Sequence, residues 1–299
     1  MVYYNPKDWF KPLIEFHKAD TFRKLMPLLC IIAVYTAIVA YLEVHYLKLS
    51  DEAYLKNIPM MHQLLGFAIS MLLVFRTNSA YDRWWEGRKL WGSLVNNCRN
   101  LAIKLDAILA EDDFDNRNYF RKIIGLFPKE MQFHLQKETT RYALDEAEHP
   151  ELQGFDRASH MPAQFSNALQ KRIQVLYKNN TITGDQLITL NAELQSFMDI
   201  CGACERIKNT PIPYSYSAFI KKFIAVYVIT LPLGFGISLG WVAVPVVGFI
   251  FYVLASLELI AEEIEDPFGN DTNDLPMAKI SENIRNNVYG IIALPGKRG

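Results

Sequence analysis

The 299-residue chain predicts an all-α membrane protein with four transmembrane helices per protomer and a helical cytosolic portion. Three observations lead there. Four apolar runs approach spanning length, basic residues gather at one set of their ends, and the long segment 76–218 carries helical periodicity without a strand pattern. The 51% hydrophobic content and mean hydropathy of +0.03 suit a chain divided between lipid and water. A net charge of −1 supplies no basic field for nucleic acid, so nucleic acid is not expected as a partner.

The first candidate span covers residues 25–42 and follows Arg23 and Lys24. The second covers 58–75, has His62, Gln63 and Ser70 as its notable polar members, and ends abruptly at Arg76. The third covers 219–239 and the fourth 242–260. Each is near the ~20 residues that a helix needs to cross the hydrocarbon. Only a Gly-Trp turn separates the last two, which predicts a tight antiparallel hairpin, with Pro232 and Pro245 expected to bend its helices. Upstream, residues 1–24 mix charges with Trp9, Phe10, Phe16 and Phe22 and read as an interfacial lead-in, not as a cleavable signal peptide.

Charge orients these spans. Arg23 and Lys24 precede the first, and Arg76, Arg83, Arg88 and Lys89 follow the second. Arg206, Lys208, Lys221 and Lys222 precede or begin the third. Between the first two spans, Lys48 and Lys56 are balanced by Asp51 and Glu52. The positive-inside tendency then places both termini in the cytoplasm. In segment 76–218, Leu90, Leu94, Leu101, Leu105 and Ile108 recur at helical spacing, as do Leu187, Leu190, Leu194 and Met198. A single domain, 1–299, with membrane and cytosolic portions and a C-terminal acidic loop and tail at 261–299, is the economical reading.

Enzyme chemistry is not expected. The six His (His17, His45, His62, His134, His149, His160) form no HExxH or ExxH pair, and no Ser lies in a GxSxG elbow. Cys30, Cys98, Cys201 and Cys204 read as small buried helix residues, because the lone CxxC at 201–204 lacks a βαβ context or a second pair. Asn179-Asn180-Thr181 matches a glycosylation sequon but falls in the expected cytosolic portion.

The second span is the more telling element. Phe67, Met71 and Phe75 follow at i, i+4 and i+8, a stripe that drifts only about 40° per step on a helix. Gly66 and Ser70 are small neighbours that permit close helix approach. Such a stripe suits a lipid-facing or core surface; it equally suits a hydrophobic constriction when several copies surround an axis. Glu258, near the end of the fourth span, faces either a bundle interior or the water boundary.

After the fourth span the chain reads A-E-E-I-E-D-P-F-G-N-D-T-N-D-L-P over 261–276. A helix C-terminus carries partial negative charge, so each carboxylate crowded there costs roughly 0.3–1 kcal/mol unless a cation compensates. Glu262, Glu263, Glu265, Asp266, Asp271 and Asp274 all fall in a stretch without Lys or Arg, so the loop requires a cationic partner. Asp271 and Asp274 are either metal ligands or caps of a helix beginning near 275–278.

The blocks F-R-T-N-S-A-Y-D-R-W-W-E-G-R-K-L-W-G (75–92), A-C-E-R-I-K-N-T-P-I-P (203–213) and the acidic loop, in that order and between matching spans, resemble the bestrophins, specifically their bacterial branch. The resemblance covers residues 5–290 and implies a homopentameric ion channel of the bacterial inner membrane with one axial pore. It further implies a neck lined by Phe67, Met71 and Phe75, where Met71 departs from the usual Ile or Phe. A second, cytosolic constriction is implied near 184–190, with Asp185 and Gln186 as candidates. The resemblance implies Ca2+ at the acidic loop, with Asp271 and Asp274 on the carboxylate-ligand positions and Glu263 and Asp266 as further candidates. It implies permeating inorganic ions as partners: chloride if the chain follows the eukaryotic members, or monovalent cations as some bacterial relatives conduct. A non-conducting membrane scaffold or sensor is the rival expectation.

Overall fold

In a computed structural model that describes residues 20–47, 58–136 and 159–294, the described residues form eight α-helices and no strand. These are α1 (Asp20–Leu42), α2 (Ile58–Ile108), α3 (Phe114–Gln136), α4 (Met161–Lys178), α5 (Gly184–Asn209), α6 (Tyr214–Leu239), α7 (Ala243–Glu265) and α8 (Met277–Ile291). Four of them, α1, α2, α6 and α7, are long and apolar enough to cross a membrane. Trp9, Phe10 and Phe16 of the expected lead-in lie outside the described residues, as do Lys48, Asp51, Glu52 and Lys56.

The expected spans fall within these helices, with one instructive difference. The apolar run of the second span stops at Arg76, but its helix continues to Ile108 and is 51 residues long. Past Arg76 its apolar residues narrow to a stripe at helical spacing, enough to bury one face although too sparse for lipid. Gly240–Val242 forms the short turn between α6 and α7. Pro232 lies inside α6, where a bend was expected. Pro245 instead occupies the first turn of α7, where a backbone N–H has no intrahelical partner and proline is tolerated, so the expected bend there has no cause.

The helices divide into two compact units. One gathers α1, α2 up to Arg83, α6 and α7; the other gathers α2 from Trp84, α3, α4, α5 and α8 with its preceding loop. In the first, Ile69 and Leu73 of α2 pack with Leu25, Ile220, Ile224, Leu231, Val247, Phe251 and Leu254. Polar contacts pin the same helices: His62 Nε2 meets Thr230 Oγ1 at 3.1 Å, and the Tyr227 hydroxyl donates to the His62 carbonyl at 3.3 Å. Such interhelical bonds replace water where lipid offers no partner. Cys30 is exposed on α1, not buried as expected, because an apolar run does not distinguish lipid-facing from packed positions.

In the second unit Leu94, Leu101 and Leu105 are fully buried against Phe120, Phe127, Phe165, Phe197 and Val288. Leu190 and Leu194 of the other expected stripe join the same core. A capping box starts α5: Thr183 Oγ1 accepts from Gln186 N, and Gln186 Oε1 accepts from Thr183 N at 2.8 Å.

The carboxylates at the end of α7 find their cations on other helices of the first unit. Glu263 pairs with Lys24 at 2.9 Å and Glu262 with Lys221 at 2.9 Å. Arg76, 1% exposed, donates through Nη2 to Glu265 at 2.6 Å and holds its Nε 3.6 Å from the buried Glu258 carboxylate. Arg83 Nε donates to the Glu265 backbone carbonyl at 3.0 Å, which satisfies a terminal acceptor of α7. The Ile212 amide completes the set, donating to Glu265 Oε1 at 2.6 Å. Glu258 is therefore buried within the helical bundle.

Removing one partner of a buried ion pair costs about 3–5 kcal/mol, because it strands the other charge. Arg76→Met is expected to lower the melting temperature of detergent-solubilised protein by many degrees, followed by tryptophan fluorescence. Lys221→Ala, at an exposed pair, should change stability by less than about 1 kcal/mol. Equal, small effects of the two substitutions would contradict this assignment.

Candidate functional site

The membrane segment of α2 has two faces. Ile69, Leu73, Arg76 and Ala80 follow at steps of four, three and four and are at most 1% exposed. The opposite face carries Phe67 at 70%, Met71 at 42% and Phe75 at 56% exposure. The three residues of the sequence stripe thus share one open face of a helix whose other face is packed. Burying a side chain of this size contributes roughly 1.5–3 kcal/mol, so an exposed apolar row is a surface that awaits cover by lipid, by another protomer, or by closure around an axis. The Ser70 hydroxyl beside the row is turned back onto the Gly66 carbonyl at 2.7 Å, which leaves the row without a competing polar donor at that position.

The acidic loop between α7 and α8 folds around a buried aromatic. Phe268 is fully buried, and a Cβ at Gly87 of α2 would lie 3.1 Å from its ring and 3.2 Å from Pro267. A side chain at position 87 would force the ring and the proline to give by a few tenths of an ångström, so the glycine of W-W-E-G suits this close approach. The Trp84 indole N–H donates to the Asn273 carbonyl at 3.0 Å. From α3, Gln136 donates to the Gly269 carbonyl at 3.1 Å and to Asn270 Oδ1 at 2.9 Å.

Within the loop, Asp271 and Asp274 are brought together. The Asp271 amide donates to Asp274 Oδ2 at 2.5 Å, and the Asp274 amide returns to the Asp271 carbonyl at 3.1 Å. Asp274 is buried and Asp271 exposed. A Cβ at Gly269 would meet Asp274 Oδ2 at 2.8 Å, so this carboxylate folds over the glycine turn. The N-cap position of α8 is held by Pro276, so neither aspartate occupies it. Asp266 accepts from the Phe268 amide at 3.2 Å, and Glu263 belongs to the other unit, where it holds Lys24. The loop offers the hard oxygen donors that suit calcium, from Asp271 and Asp274.

The candidates for a cytosolic constriction lie at the start of α5. Asp185 is exposed in the first turn of α5 and Gln186 is engaged in its capping box. Cys201 and Cys204 are free and buried. Burial, aided by the nearby Glu205 charge, pushes the Cys201 thiol up to about 12, and burial with the charges of Cys201, Glu205 and Glu86 raises Cys204 further. Both shifts favour the thiol form.

One cluster was not visible in the sequence. His134, His160 and Glu205 converge in the helical unit, from positions too far apart in the chain to form a motif. Burial pushes the Glu205 carboxyl up, but the hydrogen bonds and charges of His160 and His134 outweigh it and hold the group below the usual carboxylate range.

A family profile described as Bacterial/Fungal Bestrophin protein matches residues 1–289. A voltage-dependent anion channel-forming protein of Nostoc sp. is 34% identical over 253 residues, 81% of each chain. A protein of the same description from Ralstonia nicotianae is 28% identical and covers 96% of this chain and 93% of its own. Among solved structures, a bacterial bestrophin homologue from Klebsiella pneumoniae has a TM-score of 0.78 at 26% identity, covering 90% of this chain and 100% of that one. The chain belongs to the bacterial and fungal bestrophin family.

Proposed function

We propose that this chain forms a homopentameric channel of the bacterial inner membrane that conducts small inorganic ions through an axial pore. The neck of that pore is lined by Phe67, Met71 and Phe75 of α2. The observation that carries the reading is the two-faced α2: one face is packed, and the other presents this apolar row open to whatever lies beyond the protomer. Closing such rows around an axis yields a hydrophobic constriction that gates by dewetting. Pentameric stoichiometry comes from the resemblance of the three sequence blocks. The basic residues flanking the spans, from Arg23 and Lys24 to Lys221 and Lys222, support cytoplasmic placement of both termini.

Three apolar rings carry no charge and set no sign of selectivity by themselves. Chloride is favoured over a monovalent cation because the relatives from Nostoc and Ralstonia are described as anion channel-forming. Purified protein in a planar bilayer with asymmetric NaCl is expected to reverse at a potential of the sign set by chloride. Reversal on the sodium side would establish cation conduction instead, and absence of flux in liposomes would support a non-conducting scaffold or sensor.

Calcium at the acidic loop is part of the proposal, with Asp271 and Asp274 as its carboxylate ligands and Asp266 as a candidate for a backbone-oxygen contribution. When bound, the ion would lock the loop that packs Phe268 beneath Gly87. Asp271→Asn with Asp274→Asn keeps the side-chain size and an acceptor oxygen while removing both charges. The double variant is expected to abolish a calcium-dependent rise in melting temperature that the parent shows. A parent protein whose melting point is unmoved by millimolar calcium would remove calcium from the account.

A further inference from the structure

Three elements of the helical unit bring His134, His160 and Glu205 to one point. His134 lies in the last turn of α3, His160 is the N-cap of α4, and Glu205 is near the end of α5. Both imidazoles aim Nε2 at the same carboxylate oxygen, Glu205 Oε1, at 2.5 Å for His134 and 2.6 Å for His160. The two rings lie 4.3 Å apart at 45°. A soft donor stands beside them, with Cys201 Sγ one turn earlier on α5 and 3.8 Å from the same oxygen. The side chains of His134, His160 and Glu205 are 29%, 37% and 28% exposed, so an ion can enter from water.

We propose that these residues form a binding site for a divalent transition metal ion of the zinc class, with His134 Nε2, His160 Nε2 and the Glu205 carboxylate as ligands. Two imidazoles and one carboxylate are a donor set that suits zinc and its neighbours in the first transition row. Calcium and magnesium call for six or more oxygens and are poorly served by it. A tetrahedral ion bound at about 2.0–2.1 Å needs its donors about 3.3 Å apart, so each Nε2···Oε1 separation, now 2.5 and 2.6 Å, must open by less than about 1 Å. Water fills the fourth position.

Ligation makes one further demand. His160 Nδ1 accepts from the Ala163 amide at 3.1 Å, which leaves the ring proton on Nε2. Binding metal through Nε2 moves that proton to Nδ1 and exchanges the cap bond for a metal bond. In return the ion ties together groups 71 and 45 positions apart in the chain, from three helices. Closing long loops in this way restricts the unfolded chain and stabilises the unit. The site is distinct from the acidic loop in ligand chemistry, and it does not depend on the pore assignment.

The test uses full-length, tag-free protein in detergent, stripped with a chelator, dialysed and titrated with Co2+ as a spectroscopic probe. The parent is expected to bind one Co2+ per protomer with visible absorption characteristic of tetrahedral nitrogen and oxygen ligation. Zn2+ should displace it and millimolar Ca2+ should not. His160→Asn removes the imidazole but retains an N-cap acceptor, and His134→Gln removes the other ring. Each is expected to weaken Co2+ binding roughly tenfold or more at unchanged helicity and oligomeric size. A parent without a saturable Co2+ spectrum overturns the proposal and requires no variant to do so. Folded variants that bind as the parent does overturn it as well.

Discussion

The buried guanidinium of Arg76 is the constraint around which the membrane unit is arranged. α7 ends in a run of carboxylates where its own dipole is already negative, and an isolated helix of this sequence would be destabilised there. Arg76 reaches from α2 to Glu258 and Glu265, and Arg83, two turns on, takes the terminal carbonyl of Glu265. Lys24 and Lys221 complete the neutralisation from α1 and α6. All four helices of the unit are therefore held to one charged end. Arg76 also fixes the rotation of α2 about its axis, because it lies on the same packed face as Ile69 and Leu73.

That rotation gives the apolar row its orientation. With Ile69, Leu73 and Arg76 turned inward, Phe67, Met71 and Phe75 must face the other way. An electrostatic requirement at the end of one helix thus determines which side chains another helix leaves on its open face. The acidic loop acts elsewhere. It seats Phe268, binds Trp84 and Gln136, and folds Asp274 over a glycine turn. The proposed neck and the proposed calcium loop therefore lie on different parts of the chain, so a substitution in one need not alter the other.

The spans were legible because lipid imposes a length and a composition that few soluble segments satisfy. The stripe on α2 was legible because helical periodicity is local, although whether Cys30 or Met71 was covered was not, since packing and lipid select the same side chains. The continuation of α2 past Arg76 was hidden by the change from an apolar run to a one-sided pattern. The need of the acidic loop for cations could be read from charge alone, but not its partners, which lie 189 positions away at Arg76 and 239 at Lys24. His134, His160 and Glu205 were invisible for the same reason. Tertiary structure brings them together, and no spacing rule describes it.

Whether the open face of α2 borders the ion pathway, as proposed, can be read from thiol modification of single channels. In a Cys30→Ser background, Met71→Cys is exposed to a charged methanethiosulfonate during recording, with Val34→Cys on α1 as the control. The Met71→Cys current is expected to fall irreversibly upon modification while the Val34→Cys current is unchanged. A Met71→Cys channel that mass spectrometry shows to be fully modified, yet whose unitary current is unaltered, would contradict it.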